Sequence, residues 1–496
     1  GYRKLYISTV DFYKVNFGVG DSFNKDDIIA ESNYLEKGRI TLGKNCLVAI
    51  SPWYGYNYED GIVISQRLVD EDYFTSVHYI DLVIEVPPNK VLLNLNDDYE
   101  NYKPLPEIGD ELQLGEVYAK LKSIDVSGFD DVIFEPINEY KTEEPCKIVN
   151  IKVYANKWSK CFPQYDEYIK NIILKQKNKK NELISKLSDL LTKDDLERLI
   201  DTLEINQTEK NNYKLKDDFI DGIRIEITAV YERKITVGDK IGNRHGNKGV
   251  ITRIVPDDQM LKLPDGRHAD IIINPLGIIS RMNVGQVYEA HLSMSFNDLK
   301  KEIIRMYENG EREKIYHYIL DYIKIIDKTE DNNYLDQMTE LFKHISVDQF
   351  VEDIDKFYLI QPPFESVRWE QLNKALEYTN TLYEYKCFDP ISQQHIENEI
   401  ACGFMYWFKL NHIAKDKIAS RGIGPYSAKT AQPLGGKSRK GGQRLGEMEI
   451  WAVIAHGDEK NLNEFISIKS DSIKLRNKYI SDEMCNSDLL LDSDDD

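Results

Sequence analysis

Two glycine-punctuated windows concentrate the cationic side chains that could act on phosphate. The first, Val237–Val250, holds Lys240, Arg244, His245 and Lys248 between Gly238, Gly242, Gly246 and Gly249. Glycine lets a backbone turn tightly and approach a ligand closely. Lysine and arginine carried on such turns suit a polyphosphate or a phosphodiester backbone. A phosphate loop of the form G-x-x-x-x-G-K-[ST] is excluded, because Lys248 lies between Asn247 and Gly249. The second window, Lys409–Arg444, sets Lys409, Lys415, Lys417, Arg421, Lys429, Lys437, Arg439, Lys440 and Arg444 against a single acid, Asp416. Gly436-Lys437-Ser438 imitates the end of a phosphate loop. However, Ala431 stands where the first glycine belongs, and Pro433 interrupts the lead-in strand. A third stretch, Pro52–Gly61, carries the adjacent carboxylates Glu59 and Asp60. Neighbours on an extended segment point to opposite faces, so a facing acid pair of the glycosidase kind is not expected. One of them could face a bound metal or its waters, and both could equally form ion pairs.

Each window needs elements to hold it. Residues 1–78 read as strands and turns, with Leu47–Ile50 and Ile62–Ser65 as short apolar runs between Gly, Pro and Asn. The segment 79–222 opens on the strand-like Tyr79–Val86 and turns helical from Tyr165 to Glu204. There Ile169, Ile172 and Ile173, then Leu183, Ile184, Leu187, Leu190 and Leu191, recur at helical spacing. Thr192-Lys-Asp-Asp195 reads as the capped start of a second helix, so a helical hairpin projecting from a β-rich domain is expected. Residues 223–295 return to strands and glycine-rich turns, 296–386 are helical, and 387–457 are dense in glycine and basic residues. The final segment, 458–496, ends in Asp492-Ser-Asp-Asp-Asp496, expected as a disordered acidic tail. The whole reads as a mixed α+β, multidomain chain without internal repeats.

Bulk properties narrow the function classes. At 496 residues the chain exceeds a single core. No apolar run reaches the ~18–20 residues that span a bilayer, so no membrane partner is expected. The start, Gly1 to Tyr6, has neither a signal-peptide core nor an initiator Met, which suggests a processed or trimmed chain. Six scattered cysteines without a C-x-x-C pair point to no zinc site and no disulfide framework, and fit a reducing cytoplasm. A net charge of −20 argues against a protein coated in nucleic acid, yet leaves room for binding by segregated basic windows. An acidic protein partner is the alternative use of the 409–444 charges. Lysines are solvated surface charges by default, and His245 and His412 are more commonly hydrogen-bonded structural groups than proton carriers.

Taken in chain order, these stretches resemble the β subunit of multisubunit DNA-dependent RNA polymerases. Pro52-Trp-Tyr-Gly-Tyr-Asn-Tyr-Glu-Asp60 is similar to the family's P-W-x-G-Y-N-[FY]-E-D. Gly238-Asp-Lys240 with Arg244-His-Gly-Asn-Lys-Gly249 is similar to G-D-K-x-x-x-R-H-G-N-K-G. Asn274-Pro-Leu-Gly277 with Ser280-Arg-Met-Asn-Val-Gly-Gln286 is similar to N-P-x-G-x-P-S-R-M-x-x-G-Q. Lys409-Leu-Asn-His412, Gln432–Lys437 and Gly441–Glu449 resemble the C-terminal signature. Three positions depart from the pattern: Gly61 and Gly422 stand in place of serines, and Ile279 in place of a proline.

The resemblance implies roles residue by residue. Lys240 and Lys248 match lysines beside the RNA 3′ end and the incoming α-phosphate, and Arg281 matches a triphosphate contact. Glu59 and Asp60 match a pair near the second, nucleotide-borne Mg²⁺. Arg244, His245, Lys409, His412, Lys417, Lys437, Arg439, Lys440 and Arg444 fall in parts that support nucleic acid. The resemblance further implies the β-subunit half of a double-psi β-barrel, built from residues 40–75 and 223–295. A flap-like insertion would occupy 79–222, and a clamp-associated region 387–457. The primary Mg²⁺ would be held by the N-A-D-F-D-G-D aspartates of a β′-type partner; that motif does not occur here, so no direct primary ligands are expected from this chain. Further expected partners are an N-terminal β-type chain carrying the missing lobes, β′-type chains, DNA template, RNA product, NTPs and a promoter-specificity factor. A split β subunit in a Lys-, Asn-, Ile- and Tyr-rich composition looks like the polymerases of large bacteriophages, acting in the host cytoplasm or from the virion. A stand-alone nucleotide hydrolase would need its own metal ligands and a complete phosphate loop. A non-catalytic scaffold would have no reason to keep Lys240, Lys248 and Arg281 together.

Overall fold

In the computed structural model the described residues are 13–481, apart from 19–21, 25–26, 33–34, 37–38, 97–100, 124–136, 159, 161–162, 189–204, 208–212, 216–217, 328–332, 360–366, 423, 431 and 480. The chain forms two compact units, Gly1–Leu410 and Asn411–Asp496. Among the described residues no helix is long and apolar enough to cross a membrane.

The first unit is organised on a closed six-stranded barrel. Its main strands, in chain order, are β1 (Lys44–Ile50), β2 (Gly61–Ser65), β3 (Ser76–Val86), β4 (Glu111–Leu112), β5 (Cys146–Ala155), β6 (Ile223–Arg233), β7 (Lys240–Asn243), β8 (Lys248–Val255), β9 (Ile271–Ile273) and β10 (Cys402–Lys409). The barrel order is β7-β8-β2-β9-β1-β10, closing on β7. The pairs β8–β2 and β9–β1 are parallel and the rest antiparallel. The apolar runs are continuous because both faces of the wall are covered. Cys46, Val48, Ile62, Ile64, Ile271, Ile273, Met405 and Trp407 fill one cluster. Their alternate neighbours Leu47, Ala49, Val63 and Ile272 fill another. Each of the Val, Leu, Ile and Met side chains here, fully buried, contributes about 1.5–3 kcal/mol.

Two expectations are corrected here. The barrel takes a third segment beyond 40–75 and 223–295, namely β10, which lies inside the stretch read as a basic surface. Lys409, at its end, is therefore buried at 4% exposure rather than presented to nucleic acid. In addition, residues 223–233 do not belong to the barrel. They form β6, which pairs with β3 along its whole length from Ile223↔Val86 to Arg233↔Ser76. This ribbon carries a four-stranded sheet, β3-β6-β5-β4, away from the barrel. Its separate core receives Tyr165 and Ile169 from helix α1 (Pro163–Ser188). The second arm of the expected hairpin lies outside the described residues, as does the acidic tail.

Helices begin earlier than 296. Helix α2 (Pro275–Arg281) follows β9 directly, and α3 (Gly285–Glu308) runs from it across the barrel, with Ala290 in the barrel core. Further helices, Arg312–Ile326, Asn333–His344 and Trp369–Thr379, pack on the distal half of α3 around Leu299, Ile303, Ile319 and Tyr322.

Candidate functional site

Lysines 240 and 248 sit on the β7–β8 hairpin in a register that decides their direction. Lys240 pairs with Val250, and Gly242 with Lys248. Positions two apart on a strand share a face, and paired positions share it across the ladder. Both lysines therefore leave the same side of the hairpin, while Ile241 and Gly249 face the core. Lys248 is exposed and Lys240 half-buried. Among the described residues neither ammonium has a hydrogen-bond or ion-pair partner, which leaves this face open to an anion.

The loop between them is held rigidly. Buried Asn243 accepts from the backbone N–H groups of His245 at 3.0 Å and Asn247 at 3.1 Å. Its amide donates to Gln286 of α3 at 2.9 Å, and the Asn247 amide reaches the same oxygen at 3.1 Å. Gln286 in turn donates to Asn283 at 3.1 Å. At the loop tip, Arg244 and His245 both meet Glu289 of α3, at 2.6 and 2.5 Å. Glu289 also accepts from the Tyr406 backbone at 3.1 Å. Burial opposes ionisation of Glu289, but the His245 and Arg244 contacts outweigh it and hold its carboxyl below the usual range. Gly285 makes the docking possible, since a Cβ there would come within 2.7 Å of the His245 ring.

The Pro52–Asp60 loop closes on the same hairpin. Asn57, 1% exposed, accepts from Trp53 N–H at 2.9 Å and donates to the Ser51 carbonyl at 2.7 Å, which folds the loop on itself. Val250 N–H donates to the Asp60 carbonyl at 3.0 Å. Thr252 Oγ1 donates to the Tyr56 carbonyl at 2.6 Å. The approach requires Gly249, where a Cβ would lie 2.2 Å from the Asp60 oxygen. Asp60 then pairs with Arg281 at 2.6 Å, both about half-exposed. Arg281 ends α2, whose first turn is set by Asn274 accepting from Leu276 N–H at 3.0 Å and by Pro275 at the first position.

Glu59, Asp60, Arg281, Lys240 and Lys248, from three separate stretches, are thus gathered on contiguous elements at one place on the barrel. Arg244 and His245, expected on nucleic acid, are both engaged by Glu289, and the Arg244 side chain remains 59% exposed. Lys409 is removed from the surface altogether. In the second unit His412, Lys417, Lys437, Arg439, Lys440 and Arg444 are exposed. Arg421 organises this part, donating to the carbonyls of Lys440 at 2.6 Å and Pro425 at 3.0 Å. Among the described residues no group of three or more His, Cys, Asp or Glu side chains could hold a metal ion. Two adjacent carboxylates, one taken by Arg281, do not amount to a cation cage. Asn243, Gln286 and Glu289 escaped sequence reasoning. The first two lie within recognisable motifs, whereas nothing local marks Glu289.

Residues 25–439 match the family model described as RNA polymerase Rpb2, domain 6, and residues 441–489 match RNA polymerase Rpb2, domain 7. The chain is 31% identical over 505 residues to the DNA-directed RNA polymerase subunit beta of Ureaplasma urealyticum, a match covering 96% of this chain and 33% of the relative. It is 32% identical over 490 residues to the subunit of the same name from Mycoplasma genitalium, covering 93% and 33%. With that of Mycoplasmopsis pulmonis it shares 34% over 471 residues, covering 93% and 31%. The chain spans about a third of the length of the curated relatives it matches.

Proposed function

Since this chain belongs to the Rpb2-type β-subunit family of DNA-directed RNA polymerases, we propose that it supplies the cationic half of a composite site for template-directed RNA synthesis. One observation carries the proposal: Lys240 and Lys248, without a partner among the described residues, project from one face of a hairpin locked to the Asp60–Arg281 pair. In phosphoryl transfer, charge develops on the phosphoryl oxygens, and fixed cations aimed at that charge lower the barrier without reorganising. Lys240 and Lys248 take this role at the RNA 3′ end and the α-phosphate. Arg281 contacts the triphosphate, with Asp60 orienting its guanidinium in the absence of nucleotide. Glu59, exposed on the same loop, faces water near the nucleotide.

The Mg²⁺ that two-metal transfer uses falls, on the family resemblance, to a β′-type partner carrying the N-A-D-F-D-G-D aspartates, a motif that does not occur in this sequence. The closed barrel supports a double-psi active-centre reading. The ribbon-borne sheet supports a flap beside the RNA exit path, and the exposed cations of 411–444 support contact with the RNA–DNA hybrid or the partner's clamp. Partners are then β′-type chains, DNA, RNA, NTPs and a promoter-specificity factor, in a cytoplasm. The likeness to bacteriophage polymerases, with its virion option, rests on composition alone; the relatives matched are bacterial.

The test is RNA primer extension by the assembly that copurifies with the tagged chain, on a preassembled RNA–DNA scaffold with Mg²⁺ and four NTPs. Templated extension is expected. Lys248→Ala should slow it about 10²–10³-fold, the scale of losing one transition-state donor, while scaffold affinity and assembly stay unchanged. Equal losses in all three would move the protein to a scaffold role, as would an intact, scaffold-binding assembly that never extends.

A further inference from the structure

The second basic window opens with a cation that the fold hides. Lys409 ends β10, and its side chain is 1% exposed. Its backbone flanks the strand that carries Lys240: Lys409 pairs with Ile241, and Leu410 N–H donates to the Lys240 carbonyl at 2.8 Å. Its ammonium lies 3.7 Å from Asp239 and donates to Ser76 Oγ at 3.2 Å and the Arg233 carbonyl at 3.4 Å. Ser76 and Arg233 are paired residues, the first of β3 and the last of β6. The cation therefore sits at the joint where the insertion's ribbon leaves the barrel and returns to it.

Its anionic partner is the residue before Lys240. The Asp239 side chain is also 1% exposed. Its carboxylate accepts from Thr236 N–H at 3.0 Å and from Thr236 Oγ1 at 3.3 Å. Its backbone carbonyl accepts from Ile251 N–H at 2.9 Å, across the hairpin. Asp239, just before β7, is buried like Ile241, and Lys240 between them is more exposed than either. A buried ion pair adds little net stability over an apolar pair, whereas removing one partner strands a charge that must find water or a proton. What the pair does fix is geometry, since Asp239 is clamped between the Thr236 turn and the Lys409 ammonium.

We infer that Lys409 is a positioning residue for Lys240, acting through Asp239, and that it ties the insertion's ribbon to the strand bearing that lysine. The inference rests on the catalytic reading of Lys240.

The test compares Lys409→Met and the charge-neutral double variant Lys409→Met/Asp239→Asn in the copurified assembly. Single-nucleotide addition gives kcat and KM. The rate at which pyridoxal 5′-phosphate labels Lys240, trapped by borohydride and mapped by peptide mass, gives its placement independently of catalysis. In both variants kcat should fall by tenfold or more, about the scale of a displaced catalytic group. KM for the nucleotide and scaffold affinity should hold, and Lys240 labelling should change rate. If Lys409→Met alone fails to assemble, the double variant decides, because it removes both charges of the buried pair together. A double variant with wild-type kcat, or with unchanged Lys240 labelling whatever its activity, would overturn the inference. Should the wild-type assembly itself not extend RNA, the catalytic reading fails separately and the labelling comparison still judges the positioning.

Discussion

Glu289 shows how one part-buried carboxylate can decide the shape of a loop 45 residues away in the chain. Burial by itself would raise its pKa, yet His245, Arg244 and the Tyr406 N–H all favour the ionised form, and the net shift is downward from 4.5. A group whose folded pKa is depressed binds fewer protons when folded than when unfolded. Its stabilisation is therefore fully present above the unfolded value near 4.5 and is lost as pH falls through the lower folded value. Glu289→Gln keeps the size and removes the charge. Thermal unfolding of wild type and variant should differ most near neutral pH, with the gap closing as pH drops below 4.5. A gap that stays constant into strong acid would show that the carboxylate's charge does not hold the loop. The same residue marks a limit of sequence reading. Arg244 and His245 look like free polar side chains in a Gly-rich loop, and only the fold reveals the acid that engages them.

At the scale of elements, α2 is the short piece on which the proposed triphosphate contact depends. It has seven residues, one side-chain cap and Pro275 at its start. Asn274→Ala removes the cap and should cost about 1 kcal/mol. Because Arg281 is the last residue of the helix, the loss should surface as a nucleotide KM raised up to about fivefold, with scaffold binding unchanged; a KM identical to wild type would detach Arg281 placement from the cap. The elements themselves were unequally legible. The runs Leu47–Ile50 and Ile62–Ser65 announce β1 and β2, because a wall buried on both faces needs continuous apolar residues. The run Phe404–Phe408 carried the same signal for β10, but the dense lysines and glycines after it drew the whole stretch into a surface reading. The strand β6 alternates cleanly, yet alternation names a strand without naming its sheet, and only the pairing with β3 places 223–233 in the insertion and not the barrel. Nor could chain order disclose that Asp60 meets Arg281 across 221 residues, since closing such a distance is the work of the barrel's parallel pairs.

For the whole molecule the governing quantity is charge segregation. A chain of net charge −20 repels a polyanion at long range. Any affinity for nucleic acid must then come from local surfaces where phosphates displace counterions. In the second unit Arg439, Lys440 and Arg444 are exposed within a stretch whose single acid is Asp416. Each phosphate contact contributes about 0.7–0.9 to the slope of log affinity against log salt concentration. Replacing these three residues by Gln should therefore lower the slope for scaffold binding by about 2–3. The wild-type and variant curves should converge at high salt, because what is lost is counterion release and not shape. Catalysis at saturating scaffold should be spared, since Lys240 and Lys248 belong to the other unit. An unchanged slope accompanied by weaker assembly would assign the same cations to an acidic protein partner. Charge on this surface would then select the partner chain, and the barrel's two lysines would be the chain's principal means of engaging phosphate.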